Sequence, residues 1–113
     1  MDLARDVRAL GDSLNDIVGR IVDLHAVISR HIDHPDFLGS KSLKSVAPAL
    51  APDFGYSDLE VSDGSAASAA FYGIAIGCLD ATSEAEARGS LLAYCARDTL
   101  AMVKIHCAIR SLC

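Results

Sequence analysis

No apolar run in this sequence approaches the roughly 20 residues that a membrane-spanning helix needs. The opening MDLARDVRAL carries charges at Asp2, Arg5, Asp6 and Arg8, so it does not read as a signal peptide. Basic residues are in short supply: 10 Lys and Arg against 15 Asp and Glu, for a net charge of −5. They are scattered, with Lys41 and Lys44 the nearest thing to a pair, whereas a domain that holds nucleic acid unaided carries a basic stripe. The 4 cysteines include no Cys-x-x-Cys pair, which speaks against a zinc site, where ligands normally come in close pairs. Gly-x-Ser-x-Gly, the phosphate-binding P-loop and the dinucleotide fingerprint are all missing. No Ser or Cys has a base at a telling spacing. Two-residue alternation is missing as well: LEVSD, residues 59–63, is the one candidate strand, and it is short. There is no internal repeat and no low-complexity tract.

What is present is apolar. Hydrophobic residues make up 51% of the chain, and its mean hydropathy of +0.31 is high for a small protein without a membrane span. At 113 residues the chain is a single domain over residues 1–113, whole or partial. A chain of this size buries only about two-thirds of its unfolded surface. The surplus therefore reads as buried or partner-facing surface, in a cytoplasmic protein. Cys78, Cys95, Cys107 and Cys113 lie on or beside apolar helical segments and read as buried, reduced thiols.

The order of segments is helical throughout. Leu3, Val7, Leu10, Leu14, Ile17, Ile21, Leu24 and Ile28 recur at the 4-3-4-3 spacing of a helical face, and four heptads of it suit a coiled coil. Gly11-Asp12-Ser13 combines a helix stop with N-cap candidates, so the pattern fits either one helix or two, over about 2–10 and 13–31. HIDHPDFLGS is a loop, because Pro35 biases His34 away from helix and Gly39 permits a turn. A short helix follows, capped by Ser40 or Ser42 and distorted or ended near Pro48. Residues 51–65 are turn-rich, with one helical turn around Ser57 to Leu59. SAASAAFYGIAIG is a helix of small residues. The last helix opens on a Ser83–Glu86 capping box and is weakened at Gly89. The fold class is all-α, with about five helices.

Several polar residues stand out against this background. Tyr94 and Asp98 lie four apart on the last helix and so share a face. A carboxylate can hold a hard divalent cation while a phenol orients a water, although the bare spacing is common in unrelated helices. His25, His31 and His34 cluster with Asp33 and Asp36 at a helix end and a Pro loop, where polar residues are expected in any case. His106 reads as a core or edge histidine, and Asp23 as a helix-surface residue near Arg20.

Three stretches in order, RIVDLHAVI, then HPDFLGSKSLKSVAPALAPDFGYSDLEVSDGSAASAAF, then LLAYCARDTLAMVKI, resemble a bacterial domain family found C-terminal to RecB-like nuclease regions. That family is regarded as an RNase H-like 3′–5′ exonuclease domain of the DEDD superfamily. The resemblance covers roughly Leu14 to Ile109, and its third exonuclease motif, Tyr-x-x-x-Asp, falls on Tyr94 and Asp98. It implies a metal-binding role for Asp98 and a water-positioning role for Tyr94. The family's Asp-x-Glu motif, its second acidic motif and the sheet that carries them would lie upstream of Met1. The chain thus resembles the helical C-terminal half of an RNase H-like α/β domain without its sheet.

Two-metal phosphodiester hydrolysis needs several carboxylates around cations about 4 Å apart. The isolated chain is therefore expected to be non-catalytic and without a cofactor, acting through protein contacts as a homo-oligomer or with a protein partner. Leu10, Leu14, Ile17, Ile21, Leu24 and Ile28 are the expected contact residues. One alternative is half of an exonuclease completed in trans, binding Mg2+ or Mn2+ and nucleic acid only in that complex. Another is a small acidic nuclease inhibitor.

Overall fold

The computed structural model describes residues 6–112. Leu3, Asp2, Arg5 and Cys113 lie outside that range. Among the described residues the chain is all-helical, with five α-helices and no strand: α1 (Gly11–Arg20), α2 (Leu24–His31), α3 (Leu43–Leu50), α4 (Gly64–Ala75) and α5 (Ala81–Ser111). Two short 3-10 turns, Arg8–Leu10 and Pro35–Phe37, precede α1 and follow α2. LEVSD is irregular.

The long N-terminal pattern does form helix, but it breaks elsewhere than at Gly11. That glycine opens α1, and the chain turns extended at Ile21, where ψ is 131°. Asp23 explains the second start. Its carboxylate accepts hydrogen bonds from the backbone N–H groups of His25 and Ala26 at 2.9 and 3.3 Å, satisfying two donors that a helix N-terminus leaves orphaned. Asp23 is thus a cap and not the mid-helix surface residue that its neighbours suggested.

The same chemistry resets the start of α5. Asp80, not Ser83, is the cap: its carboxylate accepts from the N–H groups of Thr82 and Ser83 at 3.0 and 2.9 Å, and the Ser83 hydroxyl also donates to it. From there α5 runs unbroken through Gly89. Its 31 residues span about 46 Å, nearly the full 49 Å of the molecule's longest dimension.

One core holds the chain together. Phe37, Val46, Ala47, Ile28, Phe54, Tyr56, Ala101 and Ile105 form a single buried cluster. Val46 and Ala47 of α3 lie against Ala101 and Ile105 of α5, while Phe37 enters from the turn after α2. Pro48 sits inside α3 and withholds one backbone donor, yet the helix continues for two more residues. The turn that delivers Phe37 is tight: Leu38 takes the left-handed conformation at φ 50° and Gly39 follows at φ 77°.

The apolar stripe divides along this architecture. Ile28 is buried and Leu24 packs against the core, whereas Leu10, Ile17 and Ile21 are exposed and Leu14 is half-buried. The cysteines depart from expectation, because Cys78, Cys95 and Cys107 are all exposed. Cys95 and Cys107 have apolar neighbours on more than one side of α5, and Cys78 lies in the turn between α4 and α5, so an apolar neighbourhood in sequence did not mean an inward-facing position. His106, expected at the core or its edge, is exposed as well.

Candidate functional site: the tyrosine–aspartate face of the long helix

Tyr94 and Asp98 stand on the side of α5 that meets the irregular segment 51–63. Arg97 anchors that segment. Its guanidinium makes two hydrogen bonds to the Asp58 carboxylate at 2.8 and 2.6 Å, a third to the Gly55 carbonyl, and lies 5.7 Å from the Phe54 ring. This fork-to-fork geometry fixes direction as well as distance. Asp58 is held below the usual carboxylate range by its hydrogen bonds from Arg97. Ser90 adds a further tie, donating to Glu60 at 2.6 Å.

Lys44 performs the matching task from α3. Its ammonium donates to the Ser62 carbonyl and sits 5.5 Å from the Tyr56 ring and 5.4 Å from the Tyr94 ring. The two phenol rings lie 6.3 Å apart, and Phe54 meets Tyr56 edge-on at 5.7 Å. The rings form a small aromatic layer between α3 and α5.

Two tyrosine hydroxyls converge on Asp98. Tyr56 is 8% exposed, and its Oη is enclosed without a hydrogen-bond partner. The Asp98 carboxylate is its nearest acceptor, but the pair falls short of full hydrogen-bonding geometry. Burial first, then the Asp98 oxygen as the nearest acceptor for the phenol proton, and then the negative charge of Asp98, push the Tyr56 phenol well above its ordinary value. The Tyr94 phenol is raised as well, by burial first and then by the negative charge of Asp98. Asp63, the N-cap of α4, contributes a further repulsive charge beside Tyr94.

Chemically, this is one carboxylate beside two protonated phenols. Among the described residues no group of three His, Cys, Asp or Glu side chains is placed to hold a metal ion. A two-cation site does not fit the donors that the described residues bring together. The histidine cluster does not assemble a site either. His25 and His31 are exposed, and His34 uses Nδ1 to accept the Asp36 N–H at 3.2 Å, capping the Pro35–Phe37 turn.

Sequence reasoning missed Arg97, Lys44 and Tyr56. Arg97 and Lys44 are exposed-type residues whose partners lie 42 and 18 positions away, so no local pattern announces them. Lys41 is similar: it bonds the Ile32 carbonyl at 2.8 Å and Asp33 at 2.9 Å and lies 4.8 Å from the Phe37 ring.

The class these features define is an all-α protein with an exposed apolar surface and a tyrosine–aspartate face on its longest helix. The chain matches no family profile, no curated protein and no solved structure. No described helix is long and apolar enough to cross a membrane.

Proposed function

We propose that this chain is a non-catalytic helical relative or fragment of an RNase H-like exonuclease domain that works through protein–protein contacts. One observation carries the contact half of that reading: the chain exposes 7932 Å², whereas a compact protein of 11.9 kDa exposes about 6,000 Å². Large apolar side chains contribute to it, with Leu10, Ile17, Ile21, Phe71, Leu92 and Val103 all open to solvent. The radius of gyration tells the same story, at 17.3 Å against about 13 Å for a compact chain of this length. Surface of this extent and character is normally covered by a partner.

The link to exonucleases rests on the sequence resemblance alone. In this reading the Tyr94–Asp98 pair needs no catalytic role: Tyr94 packs against Tyr56, and Asp98 lies beside both phenols. A metal titration followed by thermal unfolding separates the two roles. Mg2+ and Mn2+ are expected to leave the melting temperature of the chain unchanged, with or without Asp98→Asn. A metal-dependent rise that Asp98→Asn abolishes would show a living site and overturn the non-catalytic reading. The contact half is tested by a dye that reports apolar surface: strong binding by the monomeric chain supports it, and silence removes it.

A further inference from the structure

The outward side of α5 is unusual for a helix that faces water. Opposite the buried Ala101 and Ile105 run Leu92, Cys95, Ala96, Thr99, Leu100 and Val103, all exposed and none charged. Leu92 alone is 72% exposed. A surface helix normally turns charge outward, and 22% of this chain is charged. Along three turns of α5, however, the neighbouring charges Arg97 and Asp98 point to the other side, where Arg97 is held by Asp58. The Arg88–Glu84 ion pair, 2.8 Å, marks the polar end of the stripe.

The stripe reads the same in both directions. Leu92, Ala96, Thr99 and Val103 follow at spacings of four, three and four, with branched apolar residues at the ends and small ones at the centre. A twofold axis passing between Ala96 and Thr99 lays two such helices antiparallel. Leu92 then meets the partner's Val103, and Ala96 meets the partner's Thr99, where small side chains let the two backbones approach. Self-complementarity of this kind is what an isologous contact requires. A helix pair with 4-3-4 spacing also packs knobs into holes.

We propose that the occupant of this face is a second copy of the chain, docked antiparallel through α5 about that axis. This inference rests on the reading of the protein as an interaction module and names its partner. The axis falls near the middle of the 31-residue α5. Two copies therefore overlap along nearly the whole helix, about 40 Å, and not along the stripe alone. A standard interface takes about 800 Å² from each partner, less than the roughly 1,900 Å² by which the whole chain's surface exceeds that of a compact protein. The stripe's lack of charge removes the repulsion that two copies of an acidic chain meet over most other surfaces.

Light scattering with size separation, on the full chain at micromolar concentration, tests it. The expected mass is about twice the 11.9 kDa of one chain. Ala96→Glu and Val103→Glu are each expected to return the single-chain mass with helical circular dichroism unchanged, because both positions are exposed within one copy. Ile17→Asp, on α1, is expected to leave the dimer intact. Should a glutamate variant fail to fold, Ala96→Leu crowds the axis without adding charge and is expected to weaken association at least tenfold. A dimer indifferent to all three α5 substitutions overturns the assigned face and leaves the interaction module standing. A monomeric wild type that still binds the apolar-surface dye overturns the second copy as partner; a monomer that does not bind it overturns both readings.

Discussion

Removing a single oxygen from Tyr56 tests the account of the tyrosine–aspartate face. In Tyr56→Phe the ring keeps its edge-on contact with Phe54 and its place beneath the Lys44 ammonium, since both involve the ring and not the hydroxyl. Only Oη is lost, and Oη is enclosed without a hydrogen-bond partner. A buried hydroxyl left unpaired costs on the order of 1–3 kcal/mol. Some of that cost is offset by the attraction of the hydroxyl dipole to the facing carboxylate of Asp98. Tyr56→Phe is therefore expected to stabilise the fold by about 1 kcal/mol, a rise in melting temperature of about 4–6 °C for a chain of this size. Urea unfolding of the wild type, Tyr56→Phe, Asp98→Asn and the double variant gives the pairwise coupling as well. Coupling below about 0.5 kcal/mol is expected if no hydrogen bond joins the two side chains. A loss of 1 kcal/mol or more in Tyr56→Phe, with coupling of similar size, would mean that Oη donates to Asp98, and the reasoning would be refuted.

Three further outcomes follow from the core, the tight turn and the titrating groups. Phe37, 1% exposed at the centre of the core, is expected to cost about 3–5 kcal/mol on Phe37→Ala, read by chemical denaturation. Leu38, whose side chain is 90% exposed at a positive φ, gives up little packing in Leu38→Asn. That change is expected to stabilise by about 0.5–1 kcal/mol, because asparagine tolerates the left-handed conformation better. The pH dependence has two limbs. Tyr56 and Tyr94 have phenols raised above 10.0 in the folded state, so their contribution is complete below that pH and is lost as pH climbs past it. Asp33, Asp58, Asp63 and Asp80 are lowered from 3.8 by Lys41, Arg97, Ser65 and the Ser83 N–H respectively. Their contribution is present above that pH and is lost on acidification below it. A melting curve flat between about pH 5 and 9 with a fall on each side is the expected result, and a maximum displaced into either limb would contradict these assignments.

The helical class was legible because the apolar spacing and the absence of two-residue alternation both belong to the backbone's own periodicity. Boundaries were less so, and the errors share a cause. Asp23 and Asp80 sit just before apolar helices and cap them, yet in the sequence each resembles an ordinary surface acid. The rival signals, Gly11-Asp12-Ser13 and Ser83–Glu86, were stronger on paper and lost to carboxylates that reach two backbone donors each. Inward and outward faces of α5 were illegible for a different reason. When Cys95, Leu100, Ala101 and Val103 are all apolar, hydropathy cannot say which of them meets Val46. Only the position of α3 decides that, and this position depends on Phe37, Tyr56 and the loop held by Arg97. The pair Tyr94–Asp98 was visible as a spacing, but its setting was not, because Tyr56 approaches it from 38 and 42 residues away in sequence.

The three exposed thiols give the molecule reporters that no engineering has to supply. Cys95 belongs to the self-complementary stripe, whereas Cys78 lies in the turn between α4 and α5, away from it. In the proposed α5 pair, a maleimide or disulfide reagent applied to the protein at increasing dilution would label Cys78 at a steady rate while Cys95 accelerates as copies separate. The ratio of the two labels, read by peptide mass, would then convert a contact that is hard to see into a clock for how often such a pair lets go.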